Sequence, residues 1–354
     1  MLQKNQIEKG NLQWKCPSNI ALVKYWGKQG KQLPSNASLS FSLTAAHTIT
    51  SIDYEKKDQS AGISVDFLFE GKKNEAFARR IFNYIQSIKD RIPVLNGMHL
   101  RISSRNSFPH SSGIASSASA FGALALALKD IDTILTGKEV YDENFYREAS
   151  ELARLGSGSA SRSVYPGFTV WGKHEAIAYS SDQYAVQLNQ DYIHRDFVSL
   201  KDSILIVSRS EKDVKSTAEH ALMQGHTFAQ TRFRQAQKNL GELVHALKNG
   251  DRGKFMDITE NEAMSLHAMM MTSNPSYILL KPESLIIMEK IRSFRKQYAV
   301  PVCFTIDAGP NIHVVYPEDF ESRVKDFIQS ELLVYCDAKQ WIDDGMGKGP
   351  EKLK

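Results

Sequence analysis

Residues 107–119, "SFPHSSGIASSAS", run directly into "AFGALALALKD" at 120–130, and this junction decides how the rest of the sequence is interpreted. Six serines and one glycine favour a turn or loop, whereas the Ala/Leu run has the composition of a buried helix. A loop that enters a helix N-terminus presents unpaired N–H groups and about half a positive charge, which suits phosphate. On these residues alone, an ordinary serine-capped helix explains the pattern about as well.

The whole chain has 354 residues, of which 42% are hydrophobic and 24% are charged, as expected for a globular protein with a sizeable core. We expect two domains, 1–195 and 196–354, with the boundary near residues 190–200. The net charge of +4 is small and the basic residues are dispersed, which argues against a nucleic-acid partner. An anionic small molecule remains compatible with it.

The N-terminal residues "MLQKNQIEKGNLQWK" contain no apolar leader segment, and no apolar run approaches the ~20 residues that cross a bilayer. We therefore expect a cytoplasmic protein without a membrane partner. The cysteines Cys16, Cys303 and Cys336 are odd in number and far apart, so we expect reduced thiols rather than a disulfide framework.

Hydrophobic periodicity predicts an α+β fold. Strands are expected at "ASLSFSLTAAHTITSIDY", "GISVDFLFEG", "MHLRISSRN", "GFTVWG", "AIAYS", "YAVQL" and "SILIVS". Helices are expected at about 75–90, 112–131, 143–155 and 217–248. The last strand–turn–strand unit is expected in "VCFTIDAGPNIHVVY".

Two further segments carry cationic groups that suit an anion. "NIALVKYWGKQG" at 19–30 places Lys24 and Lys28 four residues apart around an aromatic pair, although two lysines alone are more often a solvated face. "RLGSGSASRSVYPGF" at 154–168 is a second Gly/Ser loop, in which Arg162 offers a forked donor for carboxylate or phosphate. A flexible turn is the alternative for the second segment.

A carboxylate at a strand end is the remaining candidate. "TIDAGPN" at 305–311 places Asp307 before a Gly-Pro turn, where it can orient and deprotonate a hydroxyl or simply form the turn. The four segments together favour phosphoryl transfer, yet the chain has neither a P-loop motif nor the protein-kinase motifs. His220, His226 and His267 lack zinc-binding spacing, and we expect core or surface histidines.

These motifs resemble a known family. "PHSSGIASSASA" resembles the ATP loop of the GHMP small-molecule kinases, while "NIALVKYWGK", "RLGSGSASRS" and "FTIDAGPN" are similar, in the same order, to the diphosphomevalonate decarboxylase signatures. Further matches in "EKDVKSTAEH", "SLHAMM" and "GMGKGP" extend the resemblance from about residue 16 to residue 350. The resemblance implies a ribosomal-protein-S5-like N-terminal domain with a left-handed crossover and a ferredoxin-like GHMP C-terminal domain, with the site in the cleft between them.

The resemblance also implies the reaction and the roles of residues. ATP, Mg²⁺ and mevalonate 5-diphosphate would give isopentenyl diphosphate, ADP, phosphate and CO₂, in a protein that forms a homodimer. Asp307 would orient or deprotonate the 3-hydroxyl, Lys24 would keep Asp307 ionised, and Arg162 would grip the C1 carboxylate. The implied substrate-binding residues are Tyr25, Trp26, Gly27, Lys28, Ser157, Gly158, Ser159, Arg162 and Thr217. The implied ATP-binding residues are Pro109, Ser111, Ser112, Gly113, Ser116 and Ser117.

One position departs from the family pattern, and two alternative functions stay open. Many relatives have an arginine after an Asn-Glu pair, but here Ala76 follows Asn74-Glu75, so Arg79 or Arg80 would have to replace it. A GHMP enzyme that stops after phosphorylation, such as a mevalonate kinase, is one alternative. A catalytically silent sensor of nucleotide or isoprenoid precursors is the other, although Lys24, Arg162 and Asp307 together argue against it.

Overall fold

The computed structural model describes residues 9–57, 62–108, 115–138, 140–209 and 220–354, and it arranges them around a sheet of eight strands and a sheet of four. The strands of the first sheet are β1 (Lys9–Val23), β4 (Ser38–Lys56), β5 (Ser64–Phe69), β6 (Lys72–Lys73), β7 (Met98–Asn106), β8 (Phe168–Trp171), β9 (Ala185–Gln187) and β14 (Glu351–Lys352). The strands of the second sheet are β10 (Leu200–Leu205), β11 (Cys303–Thr305), β12 (Ile312–Pro317) and β13 (Trp341–Gly345). Strands β2 (Lys28–Gln29) and β3 (Leu33–Pro34) form a separate hairpin.

The first sheet has the order β14-β1-β4-β7-β5-β6, and the second has the order β11-β12-β10-β13. β4 pairs with β8 through residues 38–41 and with β7 through residues 48–56, so this one strand joins two parts of the first sheet. β5 and β7 are parallel, and the helix between them makes the crossover. All pairs in the second sheet are antiparallel.

Helices in the described residues cover these sheets. Their bounds are α1 (Glu75–Ile88), α2 (Ser116–Thr136), α3 (Glu143–Gly156), α4 (Ala229–Asn249), α5 (Arg252–Met271), α6 (Pro282–Tyr298) and α7 (Glu321–Phe327). The Ala/Leu run of α2 is buried as its composition predicts, and a Cβ added to Gly122 would lie 2.5 Å from the Cys16 sulfur of β1. A larger residue at Gly122 would therefore separate α2 from the sheet. All three cysteines are free and buried.

Two predicted elements differ from the structure. Residues 176–180, "AIAYS", form turns instead of a strand, because the Ser180 hydroxyl accepts the N–H of His174 and donates to its carbonyl oxygen. The helix predicted from residue 217 begins at Ala229: Gly225 has a φ of +80°, and the His226 ring accepts the N–H of Phe228. Residues 210–219 lie outside the described part of the chain.

The chain passes between the two sheets twice. It leaves the first sheet after β9, and after β13 it returns to pair as β14 with β1. Near the return, both carboxylate oxygens of Asp344 accept backbone N–H groups of Thr44, Ala45 and Ala46 in β4, each at 2.7 Å. The domain boundary at residue 195/196 stays a prediction. No helix within the described ranges is long and apolar enough to span a membrane.

Candidate active site

A buried ion pair joins the two sheets. Lys24 directly follows the end of β1 at Val23, and Asp307 lies two residues beyond the end of β11 at Thr305. The Lys24 ammonium nitrogen lies 2.7 Å from a carboxylate oxygen of Asp307. Lys24 is 1% exposed, whereas 24% of the Asp307 side chain is open to solvent. Burial alone would raise the pKa of Asp307, but the Lys24 ammonium and the nearby Arg162 hold that pKa below its usual value. The ammonium therefore keeps an ionised carboxylate at an accessible position.

Arg162 lies beside this pair without a carboxylate of its own. Its Nε donates to the Ser40 hydroxyl at 2.9 Å and to the Asn19 side-chain oxygen at 3.4 Å, and its Nη1 donates to Ser38. Among the described residues, no carboxylate lies within ion-pair distance of it. Burial lowers the pKa of Arg162 to about 10, and the charge of Asp307 opposes that shift. The guanidinium is thus cationic at neutral pH, and because its partners are neutral it can compensate an anionic ligand.

The two Gly/Ser segments meet in space. Ser117 in the first turn of α2 lies 3.1 Å from Ser157, hydroxyl to hydroxyl, and Ser157 lies 3.5 Å from the Ser159 hydroxyl. Between those two serines, a Cβ added to Gly158 would come within 2.7 Å of the Trp171 ring and 2.9 Å of Tyr25. Only glycine fits at this position, so the turn packs directly on the rings of Trp171 and Tyr25.

The start of α2 differs from an ordinary serine cap. Its N-cap residue is Ala115, which has a φ of +44°, and no side chain of the described residues caps the helix there. Ser116 and Ser117 occupy the first turn, where N–H groups face the helix entrance. Pro109, Ser111, Ser112 and Gly113 lie outside the described residues, so their ATP-binding role stays a prediction.

An aromatic pocket of about 90 Å³ adjoins Ser116 and Ser117. It lies between α1, α2, β5 and β7, and Arg80 at its edge stacks 4.8 Å over the Phe121 ring. The other aromatic rings that line it are those of Phe67, Phe69 and Phe77. This pocket was not predicted from the sequence, although Phe67 and Phe69, at alternate positions of one strand, share a face.

Lys28 lies in the β2–β3 hairpin, near the charge of Arg80. Partial burial and that charge lower the pKa of Lys28. No described carboxylate forms an ion pair with Lys28. Of the two arginines proposed to replace the missing one, Arg80 is therefore the better placed, and Lys28 and Arg80 suit a highly charged anion.

Two histidines contribute more than the sequence indicated. The Nδ1 of His220 accepts the N–H of Gly27 at 3.1 Å, and its ring centre lies 4.4 Å from that of Tyr25 and 4.8 Å from that of Trp26. The Nε2 of His267 lies 3.1 Å from the carbonyl oxygen of Asp307, to which it donates. A single histidine on a helix carries no spacing signal that reveals such contacts. Thr217 lies outside the described residues.

Comparison with known proteins places this geometry in a family. The diphosphomevalonate decarboxylase-like N-terminal domain model matches residues 16–185, and the mevalonate 5-diphosphate decarboxylase C-terminal domain model matches residues 203–349. A diphosphomevalonate decarboxylase from Candida albicans is 30% identical over 321 residues, which cover 87% of this chain and 85% of that protein. The chain belongs to the diphosphomevalonate decarboxylase family.

Solved structures of diphosphomevalonate decarboxylases extend the likeness to the fold. The Staphylococcus aureus enzyme is 28% identical, with a TM-score of 0.82 over 98% of each chain. A structure described as MDDEF in complex with MVAPP, AMPPCP and magnesium is 26% identical, with a TM-score of 0.81 over 98% of this chain and 99% of that one. The expected two-domain GHMP-kinase-like α+β fold is confirmed.

Proposed function

We propose that this chain catalyses the ATP-dependent decarboxylation of mevalonate 5-diphosphate to isopentenyl diphosphate, with release of ADP, phosphate and CO₂. The observation that carries the proposal is the Lys24–Asp307 pair beside Arg162, a cation with only neutral described partners. Both family models describe the decarboxylase rather than a mevalonate kinase. The structure with MVAPP, AMPPCP and magnesium bound supports the same ligands here.

The three charged groups match the parts of that substrate that react. The Asp307 carboxylate accepts the proton of the substrate's 3-hydroxyl group while the oxygen of that hydroxyl attacks the terminal phosphorus of ATP. Lys24 keeps the carboxylate ionised and balances charge beside the transferring phosphoryl group. Arg162 holds the C1 carboxylate through its planar fork.

Decarboxylation then follows from a better leaving group. The C3–O bond breaks and phosphate departs, the C1–C2 bond breaks and CO₂ departs, and the C1–C2 electron pair becomes the new C2–C3 double bond. No further oxidant or reductant is required. A rigid grip on the carboxylate supports this step, because the breaking bonds must be aligned.

The 5-diphosphate would lie between Lys28 and the Gly/Ser turn at residues 157–159. Lys28, with Arg80 nearby, supplies positive charge for it. Hydroxyl groups and a close-packed backbone turn complete the proposed diphosphate site, which contains Tyr25, Trp26, Gly27, Ser157, Gly158 and Ser159. The ring of His220 packs against Tyr25 and Trp26 and so helps to hold these two side chains in place.

ATP would occupy the N-terminus of α2 and the neighbouring pocket. The rings of Phe67 and Phe121 suit a flat base, and the first turn of α2 suits the phosphates. No group of three acidic, histidine or cysteine side chains among the described residues is arranged to hold a metal ion. Mg²⁺ would be held chiefly by the phosphates, with the hydroxyls of Ser117 and Ser157 near enough to contribute, and it would neutralise phosphate charge there.

The double change Ser116→Ala and Ser117→Ala should weaken ATP binding at least about tenfold, because a single hydrogen bond to a charged group contributes about 1.5–3 kcal/mol. Affinity for mevalonate 5-diphosphate should change less. Titration of each ligand by calorimetry measures both, with Ser293→Ala on the exposed side of α6 as the matched control. Unchanged ATP affinity would contradict the assignment and favour a purely structural role for the two serines.

The proposed reaction is tested by its products. Incubation with ATP and mevalonate 5-diphosphate should release ADP and CO₂ in equal amounts, while plain mevalonate should be a poor substrate. Labelled carbon at C1 and a coupled ADP assay report the two products. Efficient use of mevalonate with ADP but no CO₂ would overturn the proposal in favour of a kinase, and neither product would favour a sensor.

Assembly and location complete the proposal. The family resemblance implies a homodimer, which light scattering on the purified protein would measure as twice the 39.8 kDa chain mass. The cytoplasmic location expected from the sequence is part of the proposal, and cell fractionation would test it. A monomer at assay concentration would contradict the first expectation.

A further inference from the structure

Lys24 needs backbone partners that the sheet does not supply. β1 ends at Val23, so the buried main chain of Lys24 has left the strand ladder. A side-chain oxygen of Glu262 in α5 accepts its N–H at 2.9 Å, and the side-chain amide of Asn36 donates to its carbonyl at 2.9 Å. Buried backbone groups without partners are costly, so these two contacts determine where the lysine backbone lies.

Glu262 is itself held on both oxygens. Arg232 in α4 donates to it through both terminal nitrogens, one of them at 3.1 Å, and the Asn239 amide donates at 2.6 Å. Glu262 is 0% exposed and Arg232 is 2% exposed, so water does not compete for these bonds. The carboxylate therefore cannot rotate without breaking several charge-assisted hydrogen bonds.

We propose that Glu262 is a positioning residue for the reaction: it places the Lys24 backbone, and through Lys24 the Asp307 carboxylate, from the opposite side of the interface between the sheets. Arg232 and Asn239 hold Glu262 in the orientation that this requires. The inference rests on the proposed function, in which Lys24 and Asp307 act on the substrate.

The charges around Lys24 give the proposal a second measurable property. The charged groups that act on its ammonium are Asp307 beyond β11, Glu262 on α5 and Arg162 after α3. Burial lowers the pKa of Lys24, while Asp307 and Glu262 raise it and Arg162 lowers it. Removal of the Glu262 charge lowers this pKa further and also leaves the Arg232 cation without its carboxylate. The alkaline limb of the activity profile should then move to lower pH.

The chain contains a matched control on the same helix. Glu260 also lies on α5 and is also bound by arginines, Arg292 at 3.0 Å and Arg295, but within the described part of the chain it forms no hydrogen bond or ion pair with Lys24 or Asp307. The experiment therefore compares Glu262→Gln with Glu260→Gln in the full chain. Melting temperature, kcat, both Michaelis constants and the pH dependence of kcat are measured for each variant.

Both variants should melt at a lower temperature than the wild type. Only Glu262→Gln should lower kcat, by about tenfold, because a small displacement of a reacting group is sufficient for a loss of that size. Its Michaelis constants should change less than about threefold, as expected when the lost interaction serves the transition state. Its alkaline limb should move to lower pH, whereas that of Glu260→Gln should not.

A second variant decides the outcome if Glu262→Gln does not fold. Glu262→Asp retains the charge beside Arg232 but withdraws the oxygen from the Lys24 N–H, so kcat should fall while the alkaline limb stays in place. Equal kcat losses in the Glu260 and Glu262 variants, or none in Glu262→Asp, would overturn the inference. Absence of CO₂ release by the wild type would instead overturn the proposed function on which it rests.

Discussion

The Asp307→Asn variant should lose at least about two orders of magnitude in turnover while it still binds ATP, the usual scale for a positioned acid/base group. The amide retains the size of the side chain but cannot accept the hydroxyl proton. In the wild type the Lys24 ammonium holds the pKa of Asp307 below its usual value, so the carboxylate is ionised at neutral pH and available as a base. CO₂ release measures turnover, and calorimetric titration measures ATP affinity.

Folding must be separated from chemistry in that experiment. Asp307→Asn leaves the buried Lys24 ammonium without its counter-ion, so some loss of stability is expected. The control is Asp343→Asn in β13, which breaks a 2.6 Å ion pair with Lys325 of α7. β13 is at the opposite edge of the second sheet from β11, which precedes Asp307. Asp343→Asn should keep normal turnover. Near-normal turnover in a folded Asp307→Asn variant would remove this residue from the mechanism.

The second large effect is expected at Arg162. Arg162→Lys keeps a positive charge but loses the planar fork, and a lysine ammonium cannot bond Ser38, Ser40 and a carboxylate in the same geometry. We expect kcat/KM for mevalonate 5-diphosphate to fall about 100-fold, because the carboxylate is no longer aligned with the breaking bond. Steady-state CO₂ release measures this ratio.

Lys28→Ala provides the contrast. Lys28 is assigned to the 5-diphosphate, away from the reacting bonds, so its loss should chiefly raise the Michaelis constant and leave kcat close to that of the wild type. A kcat/KM for Arg162→Lys equal to that of the wild type would show that charge alone is sufficient. The assignment of Arg162 to the carboxylate would then be wrong.

The elements that the sequence predicted are those with local signals. The composition of α2 predicted a buried helix, and the Gly309-Pro310 pair predicted the turn between β11 and β12 that places Asp307 at a strand end. The wrong strand prediction also has a cause in the neighbouring residues. "AIAYS" has a strand-like composition, but the hydrogen bonds of Ser180 favour turns.

The contacts between distant segments had no such signal. Lys24 and Glu262 are 238 residues apart, so neither the lysine segment nor the helix indicates by itself that they meet. The same holds for the contact between Ser117 and Ser157, and for the pocket shared by β5 and α2. Periodicity reports which face of an element is buried, not which other element covers it. The family resemblance indicated the two-domain fold and the grouping of Lys24, Arg162 and Asp307, but neither the Glu262 contact nor the pocket.

The two passages of the chain between the sheets restrict how the second sheet can turn relative to the first. A body tethered at one point swivels in any direction, whereas a body tethered at two points rotates easily only about the line through both. One connection leads from β9 to β10, and the other leads from β13 to β14. Next to the second connection, Asp344 of β13 accepts backbone N–H groups of β4. Asp307 belongs to the second sheet and Arg162 lies beside the first, so the two connections, together with the buried Lys24–Asp307 pair, fix how these two side chains face each other.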